Sequence, residues 1–234
     1  AAGFLVWGMG KPQDSIKSNV VGGVIHESPA EGILVPGDKI LKVDGDPVDW
    51  YVGKVFDDIR TRIMLTKGDR IEFEIERDGK VMVVNTEFDI RETGFFQRRA
   101  LPDPGITAPG PAVIGSLAGG EGESPAKKAK LEVGDQVLKV DGKEVFGTYH
   151  VSQLIRENQY KTSTFTLKRG DKVMDIEVTP VKPKGDAYKD PMVGIAWDRR
   201  AGVVTEITYP NPWVQVRDSL RTMWMTIKVI SSPD

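Results

Sequence analysis

Apolar and charged side chains alternate most clearly from Ile71 to Glu76, where Ile71, Phe73 and Ile75 take turns with Glu72, Glu74 and Glu76. A period of two predicts a half-buried strand. Asp78-Gly79 then turns the chain, and Val81 and Val83 begin a return strand. Upstream, Ile40, Leu41 and Val43 predict a short buried strand that Asp44-Gly45 closes. Between these elements Val52, Val55, Phe56, Ile59 and Ile63 recur at helical spacing. The same order returns later in the chain. Val137, Leu138 and Val140 precede Asp141-Gly142, and Val151, Leu154 and Ile155 mark a short helix. Phe165 and Leu167 form a strand, Gly170-Asp171 turns, and Val173, Ile176 and Val178 return.

The recurrence extends to the residues themselves. SPAEGILVPGDKILKVDGDPV begins at Ser28 and SPAKKAKLEVGDQVLKVDGKEV at Ser124. Equivalent positions lie roughly 100 residues apart, the length of one small domain. The pattern predicts two similar domains, residues 14–110 and 111–205, each a small curved sheet capped by helices. An apolar segment, residues 1–13, and an amphipathic helix, residues 206–234, flank them. The expected fold class is mainly β with capping helices.

Composition narrows the chemistry. The 234 residues carry 32 Lys+Arg against 34 Asp+Glu, so no basic excess points to nucleic acid. No cysteine is present, which removes disulfides, thiolate nucleophiles and cysteine-type zinc sites. The 25 Gly and 15 Pro suit short strands and turns. No stretch is long and apolar enough to span a bilayer. Phe95 and Phe96 stand beside Arg98 and Arg99 in RETGFFQRRALPDPG, a segment that could rim a groove or join the domains. GSLAGGEGESPAKKAK, from Gly115, reads as a solvated loop within the second copy.

Ser-Pro-Ala, Gly-Asp, an apolar strand and Val-Asp-Gly, followed by a helix and a hairpin, resemble the PDZ domain. The resemblance is to the circularly permuted bacterial kind, in which the ligand-loop strand comes last. That strand is MVGI, Met192 to Ile195, in the second copy and DPGI, Asp103 to Ile106, in the first. Two such domains and a trailing amphipathic helix are similar to the region between transmembrane segments in RseP-type site-2 proteases, the intramembrane zinc metalloproteases of bacterial envelopes.

The resemblance implies peptide recognition. Val193, Gly194 and Ile195 would offer backbone N–H groups to a peptide carboxylate, and the peptide would add as a strand to the sheet edge. Ile195 would line the pocket for the terminal side chain, with Val151 and Ile155 as opposite walls. His150, near the helix start, would contact a hydroxyl of the peptide. In the first copy Gly105, Ile106, Val52 and Phe56 take the matching roles. There Pro104 stands at the position of Val193 and has no N–H to give, so weaker binding is expected.

The proteases need His-Glu-x-x-His to hold zinc and place a general base. His26-Glu27 begins such a string, but Ala30 occupies the place of the second histidine. No catalytic residue, metal ligand or cofactor is therefore expected in these residues, and zinc is implied only for the parent protein. Gly-x-Ser-x-Gly and nucleotide loops are absent too.

Asn211 and Pro212 suit a helix start. Val216, Leu220, Met223, Trp224, Ile227 and Ile230 follow at three- and four-residue steps, with Arg217, Asp218, Arg221 and Lys228 elsewhere on the wheel. Trp213, Leu220, Trp224 and Ile227 would meet a membrane interface; the alternative is packing on protein. GFLVWGMG, from Gly3, reads as the end of a truncated transmembrane helix or as an edge strand. The expected partners are a peptide or protein substrate, for instance the C-terminus of a trimmed membrane protein, and the membrane surface. The expected place is the periplasmic side of the bacterial inner membrane. A tandem PDZ adaptor and the PDZ region of an HtrA-like serine protease remain as alternatives.

Overall fold

The computed structural model describes residues 9–53, 57–66, 68–87, 103–119, 124–183, 190–209 and 211–231. In chain order the elements are β1 (Lys11–Ser15), β2 (Gly23–Val24), β3 (Lys39–Val43), β4 (Asp46–Pro47), α1 (Ile59–Leu65), β5 (Arg70–Arg77) and β6 (Lys80–Glu87). Then come β7 (Ile106–Thr107), β8 (Ala112–Leu117), α2 (Pro125–Lys128), β9 (Gln136–Val140), β10 (Lys143–Glu144), α3 (Thr148–Asn158), β11 (Ser163–Arg169), β12 (Lys172–Val178), β13 (Ile195–Trp197), β14 (Val204–Thr208) and α4 (Pro212–Ser231). The fold is mostly β with a few helices.

The two copies of the sequence repeat are also copies in hydrogen bonding. Asp44 N donates to Glu72 O while Glu72 N donates to the Asp44 carboxylate, both at 2.9 Å. Asp141 and Thr164 make the same reciprocal pair, both at 2.8 Å. Each Val-Asp-Gly turn thus grips the strand that follows the helix. The aspartate takes a left-handed conformation, φ 50° in both copies, with glycine next at 80° and 77°. Aspartate tolerates that region because its short side chain bonds locally. The Gly-Asp motif closes a second loop: Val35 N donates to Asp38 at 2.9 Å and Glu132 N to Asp135 at 2.8 Å.

The described residues fall into two compact units, one drawn from 1–19, 40–104 and 203–234, the other from 20–39 and 105–202. The first contains the sheet β4-β3-β5-β6. Its hairpin runs in register from Arg70↔Glu87 to Arg77↔Lys80 around Asp78-Gly79, whose φ values of 51° and 72° suit a two-residue hairpin turn. Ile71, Phe73 and Ile75 are fully buried, as the alternation predicts. A two-stranded sheet of β1 and β14 pairs Lys11 with Thr208 and Ser15 with Val204. The boundaries drawn at 13/14 and 205/206 cut through these two strands.

The helix of the first copy starts later than its spacing predicts. Val52 instead makes an isolated bridge with Ile16, whose N–H donates to Val52 O at 2.9 Å. Asp58 begins the helix because its carboxylate accepts Thr61 N at 2.7 Å and, on its other oxygen, Gly53 N at 3.2 Å. Val55, Phe56, Phe95, Phe96, Arg98 and Arg99 lie outside the described residues, as does most of GFLVWGMG.

In the second unit β12-β11-β9-β8-β13 form one sheet, with β10 on β9, and β2 pairs with β7. Phe165, Leu167, Val137, Val140 and Ile114 form its buried cluster with Val151, Leu154 and Ile155 of α3. Each large side chain so buried contributes about 1.5–3 kcal/mol. Asp135, with no exposed surface, is bridged by Arg169 through Nε at 2.7 Å and Nη2 at 2.8 Å. The guanidinium holds this carboxyl below its ordinary pKa against the opposing effect of burial. A buried carboxylate needs such a two-point partner to stay charged.

Candidate functional site

Met192 to Ile195 make a loop in which the carbonyls of Met192, Val193 and Gly194 are engaged. Met192 and Val181 exchange two backbone bonds of 2.9 Å, Ala126 N donates to Val193 O at 2.9 Å, and Ala118 N donates to Gly194 O at 2.9 Å. The N–H groups of Val193 and Gly194 donate to no backbone carbonyl among the described residues. Val193 is buried, and Gly194 has φ +83°. Successive amides around a left-handed residue converge into a concave donor site for an anion. Val193 is buried and Gly194 half-buried, so both amides sit at the edge of the core.

Glycine is required at 194 for space as well as conformation. A Cβ there would lie 2.6 Å from Ser124 Cβ. Ser124 in turn caps α2, accepting Lys127 N, with Pro125 at the first helical position. The Ser-Pro-Ala motif therefore does two jobs: it starts a helix and leaves room for the loop.

The first copy has the same frame with one donor fewer. Gly105 has φ +84°, its carbonyl accepts Ile25 N at 2.7 Å, and a Cβ on it would lie 2.1 Å from Ser28 Cβ. Pro104 is buried beside it and brings no N–H. Gly105 and Ile106 belong to the second compact unit and Val52 to the first. Phe56 lies outside the described residues.

Around the second loop, Ile195 is half-buried and opens β13, packing on the cluster that contains Val151 and Ile155. Val151 has no exposed surface and Ile155 almost none. These two side chains anchor α3 in the core rather than standing as open walls. The solvent-facing residues at the start of α3 include Tyr149. His150 is buried, its ring stacked on Phe146 at 5.6 Å and 9°, with Nδ1 accepting Phe146 N at 3.4 Å. Burial depresses its pKa, so the imidazole is neutral at pH 7 and Nδ1 is already committed. A separate depression of about 400 Å³ is lined by Val140, Asp141, Lys143, Leu154, Glu157 and Asn158, none of them in the loop.

The residues described do not fit a zinc site. No group of three or more His, Asp and Glu side chains gathers among them, and His26 Nδ1 is bonded to Glu31 at 2.8 Å. The α4 helix starts as expected, with Trp213 N donating to the Asn211 side chain at 2.9 Å. Trp213, Val216, Leu220, Met223, Trp224 and Ile227 are each more than half exposed. No helix among the described residues is long and apolar enough to cross a membrane.

Residues 119–169 match the PDZ domain family. Over most of its length the chain is also homologous, at low identity, to RseP and to zinc metalloproteases. It is 26% identical over 181 residues to the regulator of sigma-E protease RseP of Escherichia coli K12, covering 75% of this chain and 39% of that protein. A Treponema pallidum protein that carries the name zinc metalloprotease is 26% identical over 205 residues, 87% of this chain and 42% of its own. A corresponding Neisseria meningitidis protein is 30% identical over 154 residues, 62% of this chain and 31% of its own. The chain thus spans less than half the length of these relatives. Among solved structures, the PDZ domain of an SdrC-like protein from Listeria innocua aligns with a TM-score of 0.32 at 19% identity, covering 37% of this chain and 92% of that one.

Proposed function

We propose that these residues are the peptide-recognition region of a membrane-embedded zinc metalloprotease, lying on its periplasmic side. The observation that carries the reading is the pair of amides at Val193 and Gly194, which donate to no backbone carbonyl among the described residues, in a loop whose carbonyls at 192, 193 and 194 are held. A peptide C-terminus supplies a negative acceptor for them, and its backbone extends along the free side of β13. The first copy, with Pro104 in place of a donor, is the weaker receptor. The chemistry of cleavage belongs to the parent protein. The region's part is to screen substrates, for instance trimmed membrane proteins with newly exposed C-termini, before they reach the zinc. The exposed apolar stripe of α4, with Trp213 and Trp224 and flanking arginines, rests on the membrane surface.

The deciding comparison is isothermal titration of the chain with an apolar-ended peptide as the free acid and as the C-terminal amide. The acid binds, and the amide binds at least about tenfold more weakly, a loss of about 1.4 kcal/mol. Equal affinities would remove the carboxylate from the reading, and no binding of either would leave size exclusion as the region's role.

A further inference from the structure

Helix α3 begins without the usual device. Its N-cap is Gly147, which makes no side-chain capping bond. The helix start is held from outside, by residues of the first repeat that belong to the same compact unit. Gly110 N donates to Phe146 O at 3.0 Å. A Cβ on Gly147 would lie 2.7 Å from Gly22 O and 3.3 Å from Ala108 O. A Cβ on Gly23 would lie 2.6 Å from Tyr149 Cβ and 3.0 Å from His150 N. Gly37 faces the Phe146 ring, 2.8 Å from where its Cβ would be.

Gly22, Gly23 and Gly147 differ from the turn glycines. None has a positive φ, so any residue could adopt their backbone. Glycine is needed at these positions for close approach alone. The approach is to the element that flanks the recognition loop: α3 and β13 pack on one buried cluster. The far end of β13 runs to the same place, since Asp198 N donates to Val113 O at 2.9 Å and a Cβ on Gly202 would lie 2.4 Å from Pro111 Cδ.

We infer that Gly22 and Gly23 of the first repeat are positioning residues for α3, so that peptide recognition at the second repeat depends on the first. The inference rests on the proposed reading of the Gly194 loop as a peptide receptor. The two repeats form one receptor. The first supplies the backbone surface that sets α3 against β13, and the second supplies the carboxylate loop.

The test is hydrogen exchange of the α3 amides in the unliganded chain, followed by titration with the free-acid peptide. Gly23→Val wedges Tyr149 away and speeds exchange across residues 148–155 at least about tenfold while the β11–β12 hairpin keeps its protection. It weakens the peptide by a similar factor. Gly147→Ala approaches the same contact from the helix side and gives the same result should Gly23→Val fail to fold. Gly110→Ala, whose Cβ would meet nothing nearer than 3.7 Å, behaves as wild type. Exchange in α3 within about twofold of wild type for a folded Gly23→Val or Gly147→Ala overturns the positioning role. Faster exchange with unchanged affinity overturns the dependence of recognition on it. Failure of the wild-type chain to bind the peptide counts against the receptor reading, while the exchange result still decides the positioning.

Discussion

Ser124 occupies the space that any side chain on Gly194 would need, its Cβ lying 2.6 Å from the position a Cβ would take. The serine is itself fixed, because it starts α2. Neither residue can grow without displacing the other. Gly194→Ala therefore meets both a left-handed backbone and a filled space. It is expected to destabilise the chain by at least about 1–2 kcal/mol, the cost of the left-handed conformation alone, and to abolish peptide binding. Urea denaturation and titration read the two effects.

The donor count at the two loops predicts a trade. Val193→Pro removes one amide from the second loop, and Pro104→Val returns one to the first. The former loses peptide affinity by about tenfold or more, the size of one charge-assisted hydrogen bond of about 1.5–3 kcal/mol. The latter adds a second binding event of measurable heat. Titration of both variants with the same free-acid peptide checks the pair. Retained affinity in a folded Val193→Pro would discard the amide at 193 as a donor.

His150 makes stability depend on pH near neutrality. Burial lowers its pKa below the ordinary 6.5, so the unfolded chain binds the proton more readily than the folded one. The contribution is fully present above 6.5 and is lost as pH falls through that value toward the folded pKa. His150→Phe keeps a ring against Phe146 and removes the titration. Its urea midpoint is expected to change less between pH 8 and 5 than that of wild type. Glu31 and Asp135, whose pKa values are lowered from carboxylate values, titrate below this window and leave the comparison clean.

The exposed stripe of α4 predicts a surface effect without a folding effect. Leu220 and Trp224 are 61% and 67% exposed, so replacing both with glutamate changes stability by only about 0.5 kcal/mol. The same change removes apolar area and adds charge that anionic lipid repels. Flotation with anionic vesicles carries the wild-type chain and leaves the variant behind. Equal flotation would assign the stripe to a protein partner.

What could be read from the sequence follows from which forces leave a local trace. Alternation at Ile71 to Glu76 and the Asp-Gly pairs at 44, 78 and 141 announced strands and turns, because burial of one sheet face and left-handed turn positions each restrict residue type. Gly194 and Gly105 were legible for the same reason. The pairing of β1 with β14 left no trace, since KPQDS has no apolar alternation and its partner lies at the other end of the chain. The helical spacing from Val52 was misleading because Asp58, a better cap, starts the helix one turn or more later. The burial of Val151 and His150 depends on which way α3 faces. That is set by contacts with Gly22 and Gly23, which sequence periodicity cannot encode.

The β1–β14 ladder has a mechanical consequence. Lys11 faces Thr208 at its outer end and Ser15 faces Val204 at its inner end, so chain leaving either strand departs from neighbouring points. Tension pulling those two exits apart loads the rungs one at a time, as in opening a zipper.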